Sequence, residues 1–380
     1  MITIPPFCPR SSCIHHNSDL PLPDNWFKKT QIYHTLSFGN IQCFRCRSCG
    51  KGFSQKTFHL EYWVHRRVDI PRIFDSLASG SGIRQTGRAM GCSDSLIANR
   101  HARLSRQALS FQSLANRDQL QVKEAFVFDG FESFIGSQFF PDNTNNLMLK
   151  NSQYWVSSNH AILRRKGRMT PKQKEKRAEL EKQWKAKGND LYLKSKEMLG
   201  YAGFQSLKAG RLSMMVISDE KKEYSRALEK LPVYGEWIEQ GVLEHVQVSS
   251  KEPRTTSSLL FAVNYIDREI RKNLAEHVRE TVRFGRRVLS ETERMAVMRC
   301  HHNFFKPYRI KDFRFGERLV THAEMAGIDQ AWVTQRKQDF FTLREFSTRC
   351  FLEPWDEKIW SGNLATPLED TRKRARFLLG

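Results

Sequence analysis

Two aspartates follow apolar runs in contexts that favour metal-dependent chemistry. Asp129 comes after the apolar residues of "EAFVFDGF", and Asp219 comes after "MMVIS". An all-apolar run predicts a strand buried on both faces, and an acid at its end lies at the carboxyl edge of an open sheet, where ligands of α/β proteins collect. The glycine after Asp129 predicts a turn into a hairpin. An alternative role for Asp219 is a helix N-cap, because "SDEKKEY" is also typical of a helix start.

A third acid, Asp267, lies in "VNYIDREIRKNLAEHVRETVRF", residues 263–284, which predicts one amphipathic helix. On a helical wheel Asp267 projects into the apolar arc, whereas Glu269 projects to the charged side. The arc is formed by Val263, Ile266, Ile270, Leu274 and Val278. An unpaired carboxylate on a buried face costs several kcal/mol or takes up a proton, so Asp267 needs a cation. Arg271, one turn further on, is one candidate, and a divalent metal is the other.

Three acids of this kind meet the needs of two-metal phosphoryl transfer. Mg²⁺, or Mn²⁺ in its place, prefers hard oxygen ligands. Two such ions can activate an attacking oxygen and stabilise a leaving one. Without metal the carboxylates would repel one another and one pKa would rise. Asp129, Asp219 and Asp267 are therefore the candidate catalytic and metal-binding residues.

A second candidate metal site lies near the amino terminus, where five of the eight cysteines fall within the first fifty residues. Cys8 and Cys13 form C-x4-C, and Cys46 and Cys49 form C-x2-C followed by Gly50. Two such pairs predict a structural zinc site with four thiolate ligands, and the glycine permits a tight turn after the second pair. Two substitutions stay open: Cys43 pairing with Cys46, or His16 replacing a cysteine. The alternative to a metal site is a set of free cysteines in a loop.

The next segment predicts short helices separated by glycines. We expect helices at about 71–78 and 83–90, a turn at "GCS", and a third helix from about Asp94. The positions of Gly87, Gly91 and Ile97 are typical of a helix-turn-helix. The third helix would carry Asn99, Arg100 and Arg103 into the DNA major groove. A helical hairpin with no DNA role is the alternative.

The overall charge limits the class of partner. Sixty-two Lys and Arg against forty-one Asp and Glu give a net charge of +21 in 380 residues. Such a balance favours a polyanion, most commonly nucleic acid. No uninterrupted apolar run is long enough for a membrane span, and "MITIPPFCPR" lacks the pattern of a signal peptide. We therefore expect no membrane partner and a bacterial cytoplasmic, nucleoid-associated location.

These motifs occur in a characteristic order. "RCRSCGKGFS", the glycine-punctuated helices, "VFDGF", "VISDEKKEY" and "NYIDREIRKNL", followed by "HHNFFKPYRI", together resemble a DDE-type transposase of a bacterial insertion sequence. The resemblance covers about residues 8–330. It implies an α/β fold in which an RNase H-like mixed-sheet catalytic domain follows a small zinc ribbon and an all-α helix-turn-helix domain. Most such enzymes have Glu at the third acid, where this chain has Asp267.

The resemblance also implies a domain plan. The zinc ribbon would span 1–60, the helix-turn-helix 61–110 and the catalytic domain 120–320, joined by a polar connector at about 110–120. A charged helical insertion would occupy about 165–205. There Thr170, Pro171 and Gln173 predict a helix start. Residues 321–380 would form a carboxyl-terminal extension with a basic tail.

The implied function is DNA transposition. The enzyme would bind the terminal repeats of an insertion sequence, cleave a phosphodiester with metal-activated water, and join the freed 3′-hydroxyl to target DNA. Arg271 and Arg279 would bind DNA backbone, two Mg²⁺ or Mn²⁺ ions would serve catalysis, and the protein would act as a homodimer or higher multimer. Two alternatives stay open: a domesticated, non-catalytic DNA-binding regulator, or an RNase H-like nuclease without strand transfer.

Overall fold

The computed structural model describes residues 4–17, 26–211, 213–232, 234–249, 251–278, 284–309, 311 and 318–369. The strands are β1 Phe27–Thr35, β2 Gly39–Cys46, β3 Gly52–Ser54, β4 Phe126–Ile135, β5 Ser137–Leu149, β6 Trp155–Ile162, β7 Met214–Asp219 and β8 Leu243–Val248. The helices are α1 Ile70–Ala78, α2 Ile83–Met90, α3 Asp94–Leu114, α4 Pro171–Gln183, α5 Asp190–Lys208, α6 Lys222–Glu229, α7 Tyr234–Glu239, α8 Phe261–Asn273, α9 Val288–Cys300, α10 His322–Met325, α11 Gln330–Phe340 and α12 Pro354–Trp360.

The amino-terminal strands form a small antiparallel sheet in the order β1-β2-β3. The first hairpin turns at Gly39, whose φ of +66° favours glycine. Strand β2 leads into the second cysteine pair and ends at Cys46. The second cysteine pair therefore lies at the end of β2 and in the turn that follows it.

Helices α1 to α3 confirm the predicted helical segments. Asp69 caps α1 and Ser93 caps α3, each accepting a backbone N–H three residues on. Helix α2 ends at Gly91, which has φ +60°. A Cβ at Gly87 would lie 2.8 Å from the Cys92 carbonyl oxygen, so the α2–α3 turn requires a residue without a side chain there.

Helix α3 is longer than predicted. It runs to Leu114, and a π turn, Ala115–Gln119, continues it. The prediction of a polar connector at about 110–120 is therefore wrong. Ser110, Gln112 and Asn116 are polar but buried: Gln112 donates to the Tyr154 hydroxyl at 2.7 Å. Internal hydrogen bonding makes these polar residues part of the core.

The larger sheet has five strands in the order β6-β5-β4-β7-β8. Strands β4, β5 and β6 pair antiparallel, whereas β7 is parallel to both β4 and β8. The chain is thus a mixed α/β protein with a mixed five-stranded sheet, as predicted at that level. Alternate residues of β4 face two different cores: Phe126 and Phe128 face one, and Val127 and Phe131 face the other.

The two faces of this sheet pack against different helices. On one face, residues of α1, α3, α5 and α6 share a single buried cluster with the sheet. On the other face, the apolar side of α8 packs against the sheet through Val263, Ile266 and Ile270. Helices α1 and α3, which follow the small sheet, therefore share one core with the large sheet. The face that holds α8 is the face that carries the acids.

The predicted charged insertion forms α4 and α5. Thr170 and Gln173 make the predicted capping box at the start of α4. None of the α4 residues is buried, and ion pairs such as Lys176–Glu179, at 2.8 Å, line its surface. Helix α5, in contrast, is buried along one side and packs on β6 and α6. Among the described helices, none combines the length and apolar character needed to cross a bilayer.

Candidate functional site

The sheet register brings Asp129 and Asp219 to the same level and the same face. Val127 of β4 pairs with Ile217 of the parallel strand β7, and the pairing runs to Phe128 and Ser218, so the acid that follows each strand's last paired residue lies at the same level. Side chains alternate between faces along a strand, and Val127 and Ile217 both belong to the core under α8. The two acids therefore lie side by side beneath α8.

Asp129 does not end its strand as predicted. Strand β4 continues through Gly130 to Ile135, and the hairpin turn lies at Gly136, which has φ +67°. Gly130 serves close packing: a Cβ there would lie 2.4 Å from Asn143 Oδ1 and 2.8 Å from the Tyr224 hydroxyl oxygen. Glycine thus lets the amide and the phenol approach the backbone beside Asp129.

The environment of Asp129 disfavours its charge. Burial and the nearby Asp219 carboxylate raise the pKa of Asp129 to about 6. The Gly130 backbone N–H donates to Asp129 Oδ1 at 2.7 Å and the Tyr224 hydroxyl donates at 3.4 Å, and both oppose this rise. Near neutral pH the group is therefore close to its titration point.

Asp267 reaches the same place from α8. Asn146 of β5 pairs in register with Asp129, and its side-chain amide donates to Asp267 Oδ1 at 3.3 Å. Burial and the nearby Asp129 carboxylate raise the pKa of Asp267 to about 8, although Arg271 and the Asn146 hydrogen bond lower it. Three acids from two strands and one helix thus converge over one strand pair.

Asp219 holds the start of the following helix. Its Oδ1 accepts the backbone N–H of Lys221 at 3.0 Å. The residue flanking α6 is Lys221 rather than Asp219, so the acid is a capping neighbour and not the N-cap itself.

Asn146 was missed by sequence reasoning. Its Oδ1 is buried and accepts no hydrogen bond from the part of the chain that the structure describes. Asn143, Asn145 and Asn146 are all fully buried in "PDNTNNL" of β5, which is the signal that could have found it. A buried amide oxygen with no donor, beside three carboxylates, suits a hard cation such as Mg²⁺.

The helix that carries Asp267 is shorter than predicted. Helix α8 ends at Asn273, Leu274 adopts an extended backbone, and a short 3₁₀ turn, Ala275–His277, follows. Leu274 is fully buried as the wheel predicted, but Val278 is 41% exposed. A single helix across 263–284 is therefore wrong. Asn273 lies against Gly80, where a Cβ would meet its carbonyl oxygen at 3.3 Å.

Glu269 is buried, not on a solvated charged side as the wheel predicted. Its carboxylate is 2.6 Å from Lys306 Nζ and 3.9 Å from Lys272 Nζ. Burial raises its pKa, but the hydrogen bond and charge of Lys306 outweigh this and leave the pKa below its ordinary value. Glu269 is thus committed to a structural ion pair, while Asp267 faces the other acids.

Arg271 does not form the alternative ion pair. No contact within 4.0 Å joins it to Asp267 among the described ion pairs, and its guanidinium lies 4.9 Å from the Phe131 ring centre. Of the DNA-binding residues predicted here, Arg279 lies outside the described residues. The cation that Asp267 needs is therefore not supplied within hydrogen-bond distance by this arginine.

The four predicted cysteine ligands gather at one point. The sulfur atoms of Cys8, Cys13, Cys46 and Cys49 all lie within 4.8 Å of one another. Across the two pairs, Cys8 is 3.5 Å from Cys49 and Cys13 is 3.8 Å from Cys46. Gly50 has φ +71° and donates its N–H to the Cys46 carbonyl at 3.0 Å, which closes the predicted turn. The set suits a tetrahedral structural zinc.

Neither substitute ligand joins this group. Cys43 lies outside it, and His16 uses both ring nitrogens elsewhere, at 2.7 Å from the Cys8 carbonyl and 2.7 Å from Thr348 Oγ1. For Cys49, burial disfavours the thiolate, but the Lys51 backbone N–H and the neighbouring thiols lower its pKa to about 7. A thiolate is the ligand form that zinc requires.

The cysteine group is the one set this tight within the ranges that the structure describes. The three carboxylates therefore lie near one another without being drawn together to metal-ligand spacing. Burial first, and then the charge of a neighbouring carboxylate, raises the pKa values of Asp129 and Asp267.

The predicted recognition helix differs from expectation. Arg100 is buried, lies 3.6 Å from Glu61 and donates to the Arg66 carbonyl at 2.8 Å. Arg103 donates to Asn99 Oδ1 at 3.0 Å and to the Leu60 carbonyl at 2.8 Å. Arg100 therefore does not project to solvent. Arg103 is partly exposed and lines a groove beside the small sheet.

Comparison with known proteins adds no assignment. No protein-family model matches this sequence, and a search of curated proteins found no match either. What the chain does has to be argued from its own residues.

Proposed function

We propose that this chain is a DNA transposase that cleaves and joins DNA by metal-dependent phosphoryl transfer at Asp129, Asp219 and Asp267. The observation that carries the proposal is the convergence of the three acids on one face of the sheet. There the pKa of Asp129 rises to about 6 and that of Asp267 to about 8. Neighbouring acids whose pKa values burial raises are unfavourable for the fold alone and are typical of a functional site.

The architecture supports the proposal in two places. We infer that the mixed five-stranded sheet with α8 is an RNase H-like catalytic domain, because adjacent parallel strands present acids to a helix that brings the third. We infer that the three-stranded sheet with its four cysteines is a zinc ribbon. The ordered motifs of the sequence led to the same two expectations.

The donor set fits two divalent ions. The oxygens of Asp129, Asp219 and Asp267 would hold them, and the free Oδ1 of Asn146 is a further donor. When bound, Mg²⁺ or Mn²⁺ supplies charge that activates an attacking oxygen and stabilises a leaving one. Asn146 also orients Asp267 through its 3.3 Å hydrogen bond. Aspartate is shorter than the glutamate that most DDE-type transposases have at this position. The contact between Asn146 and Asp267 joins α8 to β5, the strand that pairs with β4.

Lys221 gives the site a cation. Its charge lowers the pKa of Asp129, and its Nζ lies 3.8 Å from Glu132 and 5.4 Å from the Tyr224 ring centre. Its backbone N–H also fixes Asp219. In the proposed reaction the ammonium group stabilises negative charge on the phosphate that is attacked.

DNA is the proposed partner because the chain carries +21 net charge. The substrate would be the terminal repeats of an insertion sequence and then target DNA. Holding two ends together needs a homodimer or a higher multimer. The proposal therefore includes end binding, cleavage and strand transfer.

The test is Mg²⁺-dependent cleavage and joining of DNA that carries the inverted repeats flanking this coding sequence. Asp129→Asn and Asp267→Asn should each lower the rate by at least about a hundredfold, because a metal ligand contributes several kcal/mol and 1.36 kcal/mol is a factor of ten. Glu179→Gln, on exposed α4, is the matched control and should leave the rate unchanged.

The outcomes separate the three functions. Equal rates for Asp267→Asn and the unmodified chain would remove the assignment of this acid. Cleavage without joining would identify a nuclease. Specific binding of the repeats with no cleavage at any Mg²⁺ or Mn²⁺ concentration would identify a regulator.

A further inference from the structure

A large groove lies between the small sheet, helix α3 and the segment 344–361. Its volume is about 1050 Å³, and it is separate from the three acids. Five cations line it: Arg45, Lys51, Arg103, Arg106 and Arg344. Glu345 is the one acid in the described lining, and it is 2.9 Å from Arg336. The groove therefore carries a strong net positive charge.

A tryptophan stands at the rim of this groove in an unusual state. Trp63 is 85% exposed, although a large aromatic side chain normally gains stability from burial. Its φ is +53°, in the left-handed region, which favours glycine and is strained for a tryptophan. Neither exposure nor strain helps the fold. Both are explained if the indole face contacts a ligand.

The cations and aromatic rings of the groove alternate. The Arg344 guanidinium lies 3.5 Å from the Tyr62 ring centre, and that of Arg103 lies 4.1 Å from the same ring. Burial and the neighbouring guanidinium groups of Arg100 and Arg344 lower the pKa of Arg103 to about 10. Positive charges crowded in this way are stabilised by an anion placed between them.

We propose that this groove binds an unpaired segment of DNA, with a base stacked on Trp63 and the backbone phosphates on Arg344 and Arg103. An exposed aromatic face suits an unpaired base, whose flat surface a duplex hides between neighbouring pairs. Alternating cations and rings are the means by which proteins hold single strands. The inference rests on the proposed function for its DNA substrate and adds that strands are opened near the small sheet.

The test uses the full chain in buffer with no added divalent metal, so that no cleavage is needed. Fluorescence anisotropy measures the affinity for a dye-labelled oligothymidylate of about 12 nucleotides and for its duplex with oligoadenylate. Trp63→Ala should weaken single-strand binding by about tenfold or more, because it removes the ring on which the base would stack. Trp63→Phe should retain most of the affinity, and duplex binding should change less than threefold.

Two controls match the lost groups. Phe204→Ala removes an aromatic ring that is 55% exposed on α5, outside the groove, and should have no effect. Arg344→Ala should weaken single-strand binding and its salt dependence more than Arg72→Ala, which removes one exposed charge of α1. Thermal melting of each variant shows that the fold is kept.

Equal single-strand affinity for Trp63→Ala and the unmodified chain would overturn the inference. So would an equal loss of duplex binding, since that would identify a plain phosphate-binding surface. Failure here leaves cleavage and joining by the three acids intact. Conversely, a Trp63-dependent single-strand affinity in a chain that never cleaves DNA would keep this inference and remove the proposed enzyme.

Discussion

The two candidate metal sites differ in how far the folded chain assembles them. The four cysteine sulfurs lie within 4.8 Å of one another, whereas the three carboxylates are neighbours that do not reach this spacing. Thiols can gather as neutral groups, and only the thiolate form repels. Burial disfavours the charged form of a carboxylate and repulsion between neighbouring carboxylates adds to this, so the pKa values of Asp129 and Asp267 are raised.

This difference suggests different uses for the two sites. A set of four closed soft ligands is typical of structural zinc. Three acids from separate elements, with a free amide oxygen beside them, favour a site completed by ions that arrive with substrate. The cysteine site would stabilise its module, and the acidic site would cost the fold stability until metal binds.

The largest expected effect is loss of zinc from the cysteine site. Cys13→Ser should lower the zinc content, measured by atomic absorption, from about one per chain to none and unfold the small sheet. Structural zinc contributes on the order of 10 kcal/mol to small modules. The large sheet should keep its thermal transition, because the cysteine cluster is separate from its two cores.

Cys43→Ser is the matched control, since Cys43 is three residues from Cys46 but outside the group. It should keep its zinc. Zinc retained by Cys13→Ser, or lost equally from Cys43→Ser, would show that the four assigned cysteines are not the ligands of a structural zinc.

Substitution in the acidic site should have the opposite effect: it should stabilise the metal-free protein. Asp267 has a pKa of about 8 in the folded chain against an ordinary 3.8. Between these values the folded chain holds a proton that the unfolded chain releases, so the free energy of unfolding falls as pH rises and is lowest above pH 8. Asp267→Asn removes this loss. We expect it to stabilise the metal-free protein by about 3 kcal/mol at pH 9, after allowing for partial solvent screening.

Urea unfolding at pH 4.5 and pH 9, without added Mg²⁺, measures this difference. The gain should be much smaller at pH 4.5, where Asp267 is protonated in the folded chain and the pH exceeds its ordinary pKa of 3.8 by less than one unit. If Asp267→Asn leaves the free energy of unfolding at pH 9 unchanged or lowers it, the ionised Asp267 carboxylate does not destabilise the fold.

Metal affinity of the acidic site should depend on pH in a defined window. Below pH 8 an ion has to displace the Asp267 proton, so Mn²⁺ affinity should fall about tenfold per pH unit. Below about pH 6 the proton on Asp129 adds to this, and the fall becomes steeper. Calorimetry in buffers of different ionisation enthalpy measures the released protons. Affinity independent of pH between 6 and 8 would contradict the account.

The smallest effect concerns the packing that holds Asp129. Gly130→Ala places a Cβ 2.4 Å from Asn143 Oδ1, and Asn143 is fully buried and bonded to Asn145. We expect a loss of about 1–3 kcal/mol in the free energy of unfolding, as for other overpacked cores. Gly188→Ala, where a Cβ meets nothing within 4 Å, is the control. Equal stability of both variants would show that the asparagine moves freely.

Local patterns predicted the parts of the molecule that local physics determines. The cysteine spacing identified all four members of the thiol group, and the glycine and cap residues located α1, α2 and the start of α3. The apolar run before Asp219 located β7. The capping contacts of α1 and α3 join residues three apart, whereas each cysteine pair is a local spacing that the fold brings together with a pair more than thirty residues away.

The errors came from contacts distant in sequence. Glu269 is buried because Lys306, which lies 37 residues further on, pairs with it. Helix α8 ends at Asn273 without a glycine or proline, against Gly80 of another segment. Arg100 is buried because Glu61 pairs with it. A helical wheel contains none of these partners, and it also gave no indication that Asn146 would face Asp267.

Counting bound metal ions in the unmodified chain and in the triple variant Asp129→Asn, Asp219→Asn and Asp267→Asn tests whether these three acids hold divalent ions. Electron paramagnetic resonance of added Mn²⁺ at pH 8.5 should show two bound ions per chain in the first protein and none in the second. Zinc content should stay at about one per chain in both. Equal Mn²⁺ binding by the two proteins would contradict the assignment of these acids.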